Sequence, residues 1–135
     1  MSKDLLARAV GVAHGLFDKP AAALPLHGDL VHDNVISSPR GWLAIDPAGL
    51  VGDPVYELAP SFLAPAAAPG IVVDARRIAR LAEIYEARLG CNRKRMLGHA
   101  AANAALSACR EIGAGRPVSL QLNMLPLLLA AYDHA

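Results

Sequence analysis

The sequence has few of the residues that point directly to a class of protein. It contains only two cysteines, Cys91 and Cys109, and no C-x-x-C pair, which excludes a disulfide framework and a cysteine-rich zinc site. Its 13 basic and 12 acidic residues are interspersed, so no charged face for nucleic acid or an acidic membrane is expected. We therefore expect a single domain, residues 1–135, that binds neither.

Long apolar runs are also absent. The longest uncharged stretch late in the chain, residues 118–132, includes Gln121, Asn123 and Pro126 and falls short of the ~20 apolar residues that cross a bilayer. Near the start, Asp4 and Arg8 interrupt any signal-peptide core. The sequence thus predicts a cytoplasmic protein without a membrane partner.

Apolar residues at helical spacing are abundant and predict a mainly α chain. Amphipathic segments start near residues 3, 75 and 93, and a last one starts near Pro117 and should kink at Pro126. Residues that favour helix ends stand at the boundaries of these segments: Ser2, Asp74 and Asn92 as N-caps, and Gly90 as a C-terminal residue. A shorter helix should begin near Asp53 and end before Pro60 or a turn later, followed by a Pro-rich connector. Helices fill the remainder, residues 53–134.

One stretch, LHGDLVHDNVI at residues 26–36, is far more polar than its surroundings. It holds two histidines, two aspartates and an asparagine within eight residues: His27, Asp29, His32, Asp33 and Asn34. A strand at residues 34–37, a Ser-Pro-Arg-Gly turn and a second strand at residues 42–45 should form a β-hairpin after it. This hairpin, residues 34–46, should return Asp46 to the polar loop.

The spacing of Asp29, Asn34 and Asp46 is typical of phosphoryl transfer. Catalysis of that reaction rests on holding a divalent metal on the phosphates and placing an acceptor hydroxyl in line. A carboxylate can take the proton of the hydroxyl, while an amide oxygen and a second carboxylate are hard ligands that suit Mg²⁺. The protein-kinase catalytic loop has its Asp and Asn five positions apart, with a metal-binding Asp a hairpin later. We therefore expect these three side chains to converge on one concave surface.

These residues resemble the aminoglycoside phosphotransferase family, which has a kinase-like fold. The family pattern H-G-D-x-x-x-x-N matches residues 27–34, and Ile-Asp-Pro at residues 45–47, followed by Gly-Leu-Val-Gly, is most similar to the streptomycin and hydroxyurea phosphotransferase branch. The resemblance covers about residues 24–59 and extends more loosely to about residue 107. It implies that Asp29 is the catalytic base and that Asn34 and Asp46 bind magnesium. It also implies that His27 supports the loop.

The resemblance further implies a fold and substrates. The chain would be the C-terminal, helical lobe of a protein-kinase-like α+β fold, mainly α with a small β-hairpin. ATP, with Mg²⁺, would donate its γ-phosphate to an alcohol group of an aminoglycoside such as streptomycin. The sequence departs from the branch at Asp33, where a small residue is usual, and at Ala48, where Lys is frequent.

The nucleotide-clamping parts of such a kinase are not found in the sequence. Neither kind of Gly-rich phosphate loop occurs, and none of the three lysines, Lys3, Lys19 and Lys94, is expected in a strand. With about two dozen residues ahead of the catalytic loop, we expect the β-rich N-terminal lobe to be absent. Two readings follow. One is a truncated catalytic lobe, weak or inactive alone and complemented by a separate N-terminal lobe or by self-association; the other is a non-catalytic folded remnant or binding partner of another chain.

The remaining polar residues allow two further hypotheses. Asp33, Asp53 and Glu57 could surround the loop with negative charge, so we expect any acceptor to be a small cationic, sugar-like molecule. A minor alternative is a metallohydrolase, because part of the loop imitates a metal-ligand cluster. The residues of that cluster are His27, Asp29, His32 and Asp33.

Overall fold

A computed structural model describes all residues from 1 to 135, and helices make up most of the chain. Its α-helices are α1 (Lys3–Asp18), α2 (Pro69–Val72), α3 (Ala75–Leu89), α4 (Arg93–Gly113) and α5 (Ser119–Asp133). Two 3₁₀ helices, His32–Asn34 and Pro54–Leu63, accompany the strands β1 (Leu24–Leu26), β2 (Val35–Ser38), β3 (Gly41–Ala44) and β4 (Leu50–Gly52). The mainly α prediction is confirmed.

The predicted caps set the helix boundaries. The side chain of Ser2 accepts a hydrogen bond from the Leu5 N–H, and Asn92 does the same for the Arg95 N–H. Asp74 caps α3 in the same way, and Gly90 ends that helix in the left-handed conformation at φ 65°. Each such N-cap satisfies a backbone donor that the helix leaves free, which stabilises it by about 1 kcal/mol.

Helix α4 lies at the centre of the core. Its buried face consists largely of alanine, so α1, α5 and the second 3₁₀ helix can pack closely against it. At Gly98 a Cβ atom would lie 3.3 Å from both a Tyr132 ring carbon on α5 and a Val12 methyl on α1. Larger side chains fill the space around this helix, among them Phe62, Met124 and Leu128, each fully buried. Burying a side chain of this size contributes about 1.5–3 kcal/mol.

The predicted hairpin is confirmed with its strands shifted by one residue. β2 and β3 pair antiparallel, with Val35 opposite Ala44 and Ser38 opposite Gly41. The Ser38 hydroxyl donates to the Gly41 carbonyl and accepts from the Arg40 N–H, which ties the turn together. Gly41 has a φ of 100°, a conformation that glycine adopts without steric cost.

A second antiparallel pair was not predicted. β1 pairs with β4, placing Leu26 opposite Leu50 and Leu24 opposite Gly52. Both strands have three residues, too few to show a period of two, and their pairing joins positions far apart in the chain. The pair closes a large loop in which the polar stretch, the hairpin and Asp46 all lie.

Two further segments differ in part from the prediction. The short helix after Asp53 is a 3₁₀ helix, Pro54–Leu63, and it ends one turn after Pro60, the later of the two predicted ends. The Pro-rich connector contains the short helix α2. Pro126 lies inside α5, which runs on to Asp133. None of the helices has the length and apolar character needed to cross a membrane.

Candidate active site

Asp29 and Asn34 lie side by side at the centre of the polar loop. The Asn34 amide Nδ2 donates to the Asp29 backbone carbonyl at 2.8 Å and to the Asp29 carboxylate oxygen Oδ2 at 3.0 Å. The intervening 3₁₀ turn, His32–Asn34, reverses the chain and produces this contact. Since Nδ2 is used in this way, Asn34 Oδ1 and Asp29 Oδ1 are the atoms left for a ligand.

His27 joins the loop to the far end of the hairpin. Its ring Nε2 lies 2.7 Å from the Ile45 carbonyl oxygen, and its Nδ1 accepts from the Asp29 N–H at 3.3 Å. A neutral imidazole carrying its proton on Nε2 satisfies both contacts. The Ile45 N–H donates to the Asn34 carbonyl at 2.9 Å, so the residue before Asp46 is bound to the loop from two sides.

Asp46 therefore follows a residue that is fixed against the loop, and the segment after it is fixed as well. The Ala48 N–H donates to the His27 carbonyl at 2.7 Å. Asp46 itself has a φ of 59° and is the only residue other than glycine with a positive φ. A backbone conformation of this kind costs on the order of 1–3 kcal/mol and is frequent at functional sites, where the surrounding structure imposes it. Aspartate tolerates it better than most residues do.

Glu57 binds the backbone of the polar loop. Its two carboxylate oxygens accept the backbone N–H groups of His27 and Gly28, each at 2.6 Å. Gly28 needs to be glycine: its φ is 82°, and a Cβ there would lie 2.8 Å from a Leu50 methyl. These contacts favour a structural role for Glu57 over the substrate-binding role expected from the sequence. No sequence signal identified its partners, because they are backbone groups 29 and 30 residues away.

Asp53 likewise binds within the protein. Its carboxylate caps the second 3₁₀ helix through the Val55 N–H at 2.9 Å and pairs with Arg95 at 2.5 Å and His99 at 2.7 Å. Burial by itself would raise the pKa of Asp53, but hydrogen bonds from His99, the Val55 N–H and Arg95 hold it below its usual value. Arg95 and His99 are four residues apart on α4, a spacing that places both on one helix face and could have suggested a shared partner.

Of the three acids expected to attract a cationic acceptor, Asp33 alone stays open to a ligand. It is exposed and, with His32, lines a cleft of about 270 Å³ beside the loop. The opposite wall of the cleft comes from α4 and α5 and carries polar side chains: Asn103, Ser107, Arg110 and Gln121. An acid and a base thus border one cleft. Sequence reasoning missed this polar wall because its residues lie 70 to 88 positions after Asp33.

The residues present fit a magnesium ion better than a zinc centre. Asn34 Oδ1 and the Asp46 carboxylate are hard oxygen donors of the kind that Mg²⁺ accepts together with water and phosphate oxygens. No three side chains of the types His, Cys, Asp or Glu lie close enough together to hold a metal. The His27 ring is occupied by Ile45 and Asp29. The geometry therefore does not favour the metallohydrolase alternative.

Known antibiotic kinases are similar to this chain over most of its length. The family model of the aminoglycoside/hydroxyurea antibiotic resistance kinases matches residues 1–115. A streptomycin 3''-kinase of Klebsiella pneumoniae is 41% identical over 115 residues, which are 82% of this chain and 43% of that protein. A streptomycin 6-kinase of Streptomyces griseus is 45% identical over 56 residues, 41% of this chain and 18% of that protein. The chain thus spans less than half the length of the curated relatives it matches. No solved structure matches.

Proposed function

Because this chain belongs to the aminoglycoside/hydroxyurea antibiotic resistance kinase family, we propose that it is the acceptor- and metal-binding part of a streptomycin-type phosphotransferase. The reaction would move the γ-phosphate of ATP to an alcohol group of an aminoglycoside. One observation carries the proposal. The Asn34 amide is bound to Asp29, and the residue before Asp46 is bound to the same loop by Asn34 and His27.

Asp29 is the proposed base. Asn34 holds one carboxylate oxygen of Asp29, which orients the other toward the exposed face of the loop. In the transfer, the acceptor hydroxyl gives its proton to this carboxylate and its oxygen forms the new bond to the γ-phosphorus. The bond between that phosphorus and the β–γ bridging oxygen breaks, and ADP leaves with the electron pair. Most of the rate comes from positioning, since phosphoryl transfer needs little covalent chemistry from the protein.

Asn34 and Asp46 are the proposed magnesium ligands. A bound Mg²⁺ would neutralise the charge of the nucleotide phosphates. In this proposal the left-handed backbone of Asp46 would serve to aim its carboxylate at the metal. His27 and Glu57 hold the loop so that both ligands keep their positions.

The cleft beside Asp33 is the proposed acceptor site. Asp53 and Glu57 are engaged elsewhere, so Asp33 is left to attract a cationic group such as an amine or guanidine. Ser107 and Gln121, which bind each other at 3.1 Å, and the exposed Arg110 offer hydrogen bonds to hydroxyl groups across the cleft. Because Asp33 is exposed, its attraction should weaken as salt rises.

We propose that the 135 residues by themselves transfer phosphate slowly or not at all. None of the three lysines can clamp a nucleotide from a strand: Lys3 lies in α1, Lys19 directly follows it, and Lys94 lies in α4. The Lys94 ammonium donates to the Tyr132 carbonyl at 3.0 Å and sits over the Tyr132 ring. Faster transfer would therefore need a second chain that supplies a lysine to the nucleotide phosphates.

Binding and turnover test the two parts of this proposal separately. Titration of the chain with streptomycin should give a dissociation constant that rises several-fold in Asp33→Asn and with added salt. The matched control Asp4→Asn, on the exposed first turn of α1, should leave it unchanged. Equal binding of a neutral sugar, or no effect of Asp33→Asn, would refute the acceptor site.

Turnover is measured as ATP-dependent phosphorylation of streptomycin, by the chain alone and mixed with the unmatched part of the Klebsiella relative. We expect activity only in the mixture, and its loss in Asp29→Ala. Robust turnover by the chain alone that Asp29→Ala abolishes would contradict the need for a second part. The competing proposal, a non-catalytic remnant, is favoured by the missing phosphate clamp. It predicts that the mixture stays inactive although the chain is folded.

A further inference from the structure

A second, larger cleft lies apart from the loop. It has a volume of about 710 Å³ and opens between α1, the β1–β4 pair and α4. Hydrophobic side chains make up 16 of its 22 lining residues. Helix α1 contributes six of them. Four stand at positions i, i+4, i+7 and i+11, a spacing that forms one continuous stripe: Leu6, Val10, Ala13 and Phe17. Asp29, Asn34 and Asp46 do not border it.

One end of this cleft is polar. Asp53, Arg95 and His99 lie there, and Asn103 lines the cleft two turns farther along α4, next to Tyr56. The Asp53 carboxylate is fully used, since one oxygen accepts from the Val55 N–H and the other from both Arg95 and His99. This end therefore offers a ligand no free carboxylate oxygen.

Free N–H donors remain on the α4 side of the cleft. Arg95 has five N–H groups, of which Nε binds Asp53 and one on Nη2 reaches the Leu16 carbonyl at 3.5 Å. The Asn103 side chain accepts from the Tyr56 hydroxyl at 3.4 Å, and its Nδ2 donates to nothing. A cationic donor and an amide donor thus border a long apolar space. Their chemical complement is an oxygen anion attached to an apolar body.

We propose that this cleft binds a small amphipathic carboxylate, with its apolar chain along the α1 stripe and its carboxylate at Arg95. The volume lies within the ~300–1,000 Å³ of small-molecule sites, which are mostly apolar with a few polar groups that fix orientation. Arg95 suits a carboxylate because its planar guanidinium can donate two parallel hydrogen bonds. The site is independent of the proposed phosphotransfer and shares only Asn103 with the acceptor cleft.

The test is a titration of the ¹⁵N-labelled chain with decanoate, followed by NMR. The largest chemical-shift changes should occur at the amides of the α1 stripe and on the cleft-facing side of α4. Octanoate, two methylenes shorter, should bind about tenfold more weakly because less apolar surface is buried. Decanol, with the same chain and no charge, should also bind several-fold more weakly than decanoate.

Two matched substitutions separate the cleft from general apolar binding. Leu106→Trp fills the cleft at a residue that is 47% exposed and should weaken decanoate binding at least tenfold. Ile84→Trp, at a residue 41% exposed on α3, lies outside the cleft and should change nothing. Equal binding of decanoate and decanol, or an equal effect of both tryptophans, overturns the proposal. So does a decanoate-insensitive dimer in sedimentation that Leu106→Trp dissociates, because a second copy would then occupy the cleft.

Discussion

Replacing Glu57 should show how much of the catalytic loop depends on one side chain. The backbone N–H groups of His27 and Gly28 each donate to a Glu57 carboxylate oxygen at 2.6 Å, and in Glu57→Ala both lose this acceptor. A donor left without a partner in a buried position costs about 1–3 kcal/mol. Glu57 is half-buried, so water can reach the vacated space in part. We therefore expect the free energy of unfolding to fall by about 2–4 kcal/mol, a large share of the ~5–15 kcal/mol typical of a domain.

Glu57→Gln refines the measurement. Glutamine keeps one oxygen acceptor but turns an NH₂ group toward a backbone donor, so we expect about half of that loss. Urea unfolding gives the free energies, and amide hydrogen exchange by NMR reports on His27 and Gly28 directly. Glu83→Ala is the matched control, because Glu83 is exposed and its nearest base, Arg80, is 4.0 Å away. It should change stability by less than about 0.5 kcal/mol.

The result that would refute this reasoning is specific. If the unfolding free energy of Glu57→Ala is within about 0.5 kcal/mol of that of the Glu83→Ala control, and hydrogen exchange at His27 and Gly28 is unchanged, the carboxylate does not hold the loop. An equal increase in hydrogen exchange at all amides, with no additional increase at the loop, would also contradict it.

Other substitutions test other parts of the structure. Because the pKa of Asp53 is lowered from 3.8, ionised Asp53 stabilises the fold above that pH, and this stabilisation is lost as the pH falls through the lowered pKa. The difference in unfolding free energy between wild type and Asp53→Asn, measured in urea, should therefore become smaller below pH 3.8. Gly28→Ala should cost about 1–3 kcal/mol by thermal unfolding, because its φ is positive and the new methyl would meet Leu50. Gly15→Ala, in open space on α1, should instead gain about 0.5–1 kcal/mol. Asp46→Asn should keep the left-handed backbone and stay within about 0.5 kcal/mol of wild type, yet weaken Mg²⁺ binding measured by calorimetry.

Local signals account for what could be predicted of the fold. Helix ends followed from capping residues, because a cap acts within three residues of the backbone group it satisfies. Ser2, Asp74 and Asn92 all begin helices as expected. The hairpin also followed from a turn of four residues, although its strands are shifted by one position. The β1–β4 pair was missed because three-residue strands carry no period and their pairing spans the whole loop.

The two acids at Asp53 and Glu57 show where local reasoning stopped. Four residues apart on an α-helix, they would lie on one face and could serve one substrate. In the structure Asp53 is the extended N-cap of a 3₁₀ helix and Glu57 lies inside that helix, so the α-helical spacing does not place them on one face. One therefore reaches α4 and the other the loop.

The sequence by itself determined the mainly helical class, the order of the polar residues in the loop and the resemblance to a kinase family, because each is written in contiguous residues. Only the tertiary structure decided which of the acids expected at the acceptor stays open to a ligand, which donors line the large cleft and how the residue before Asp46 is bound to the loop. Those outcomes depend on contacts between residues 18 to 47 positions apart, such as His27 with Ile45 and Tyr56 with Asn103. Such contacts form only when the whole chain packs, because no short stretch of sequence specifies the distance between its distant ends.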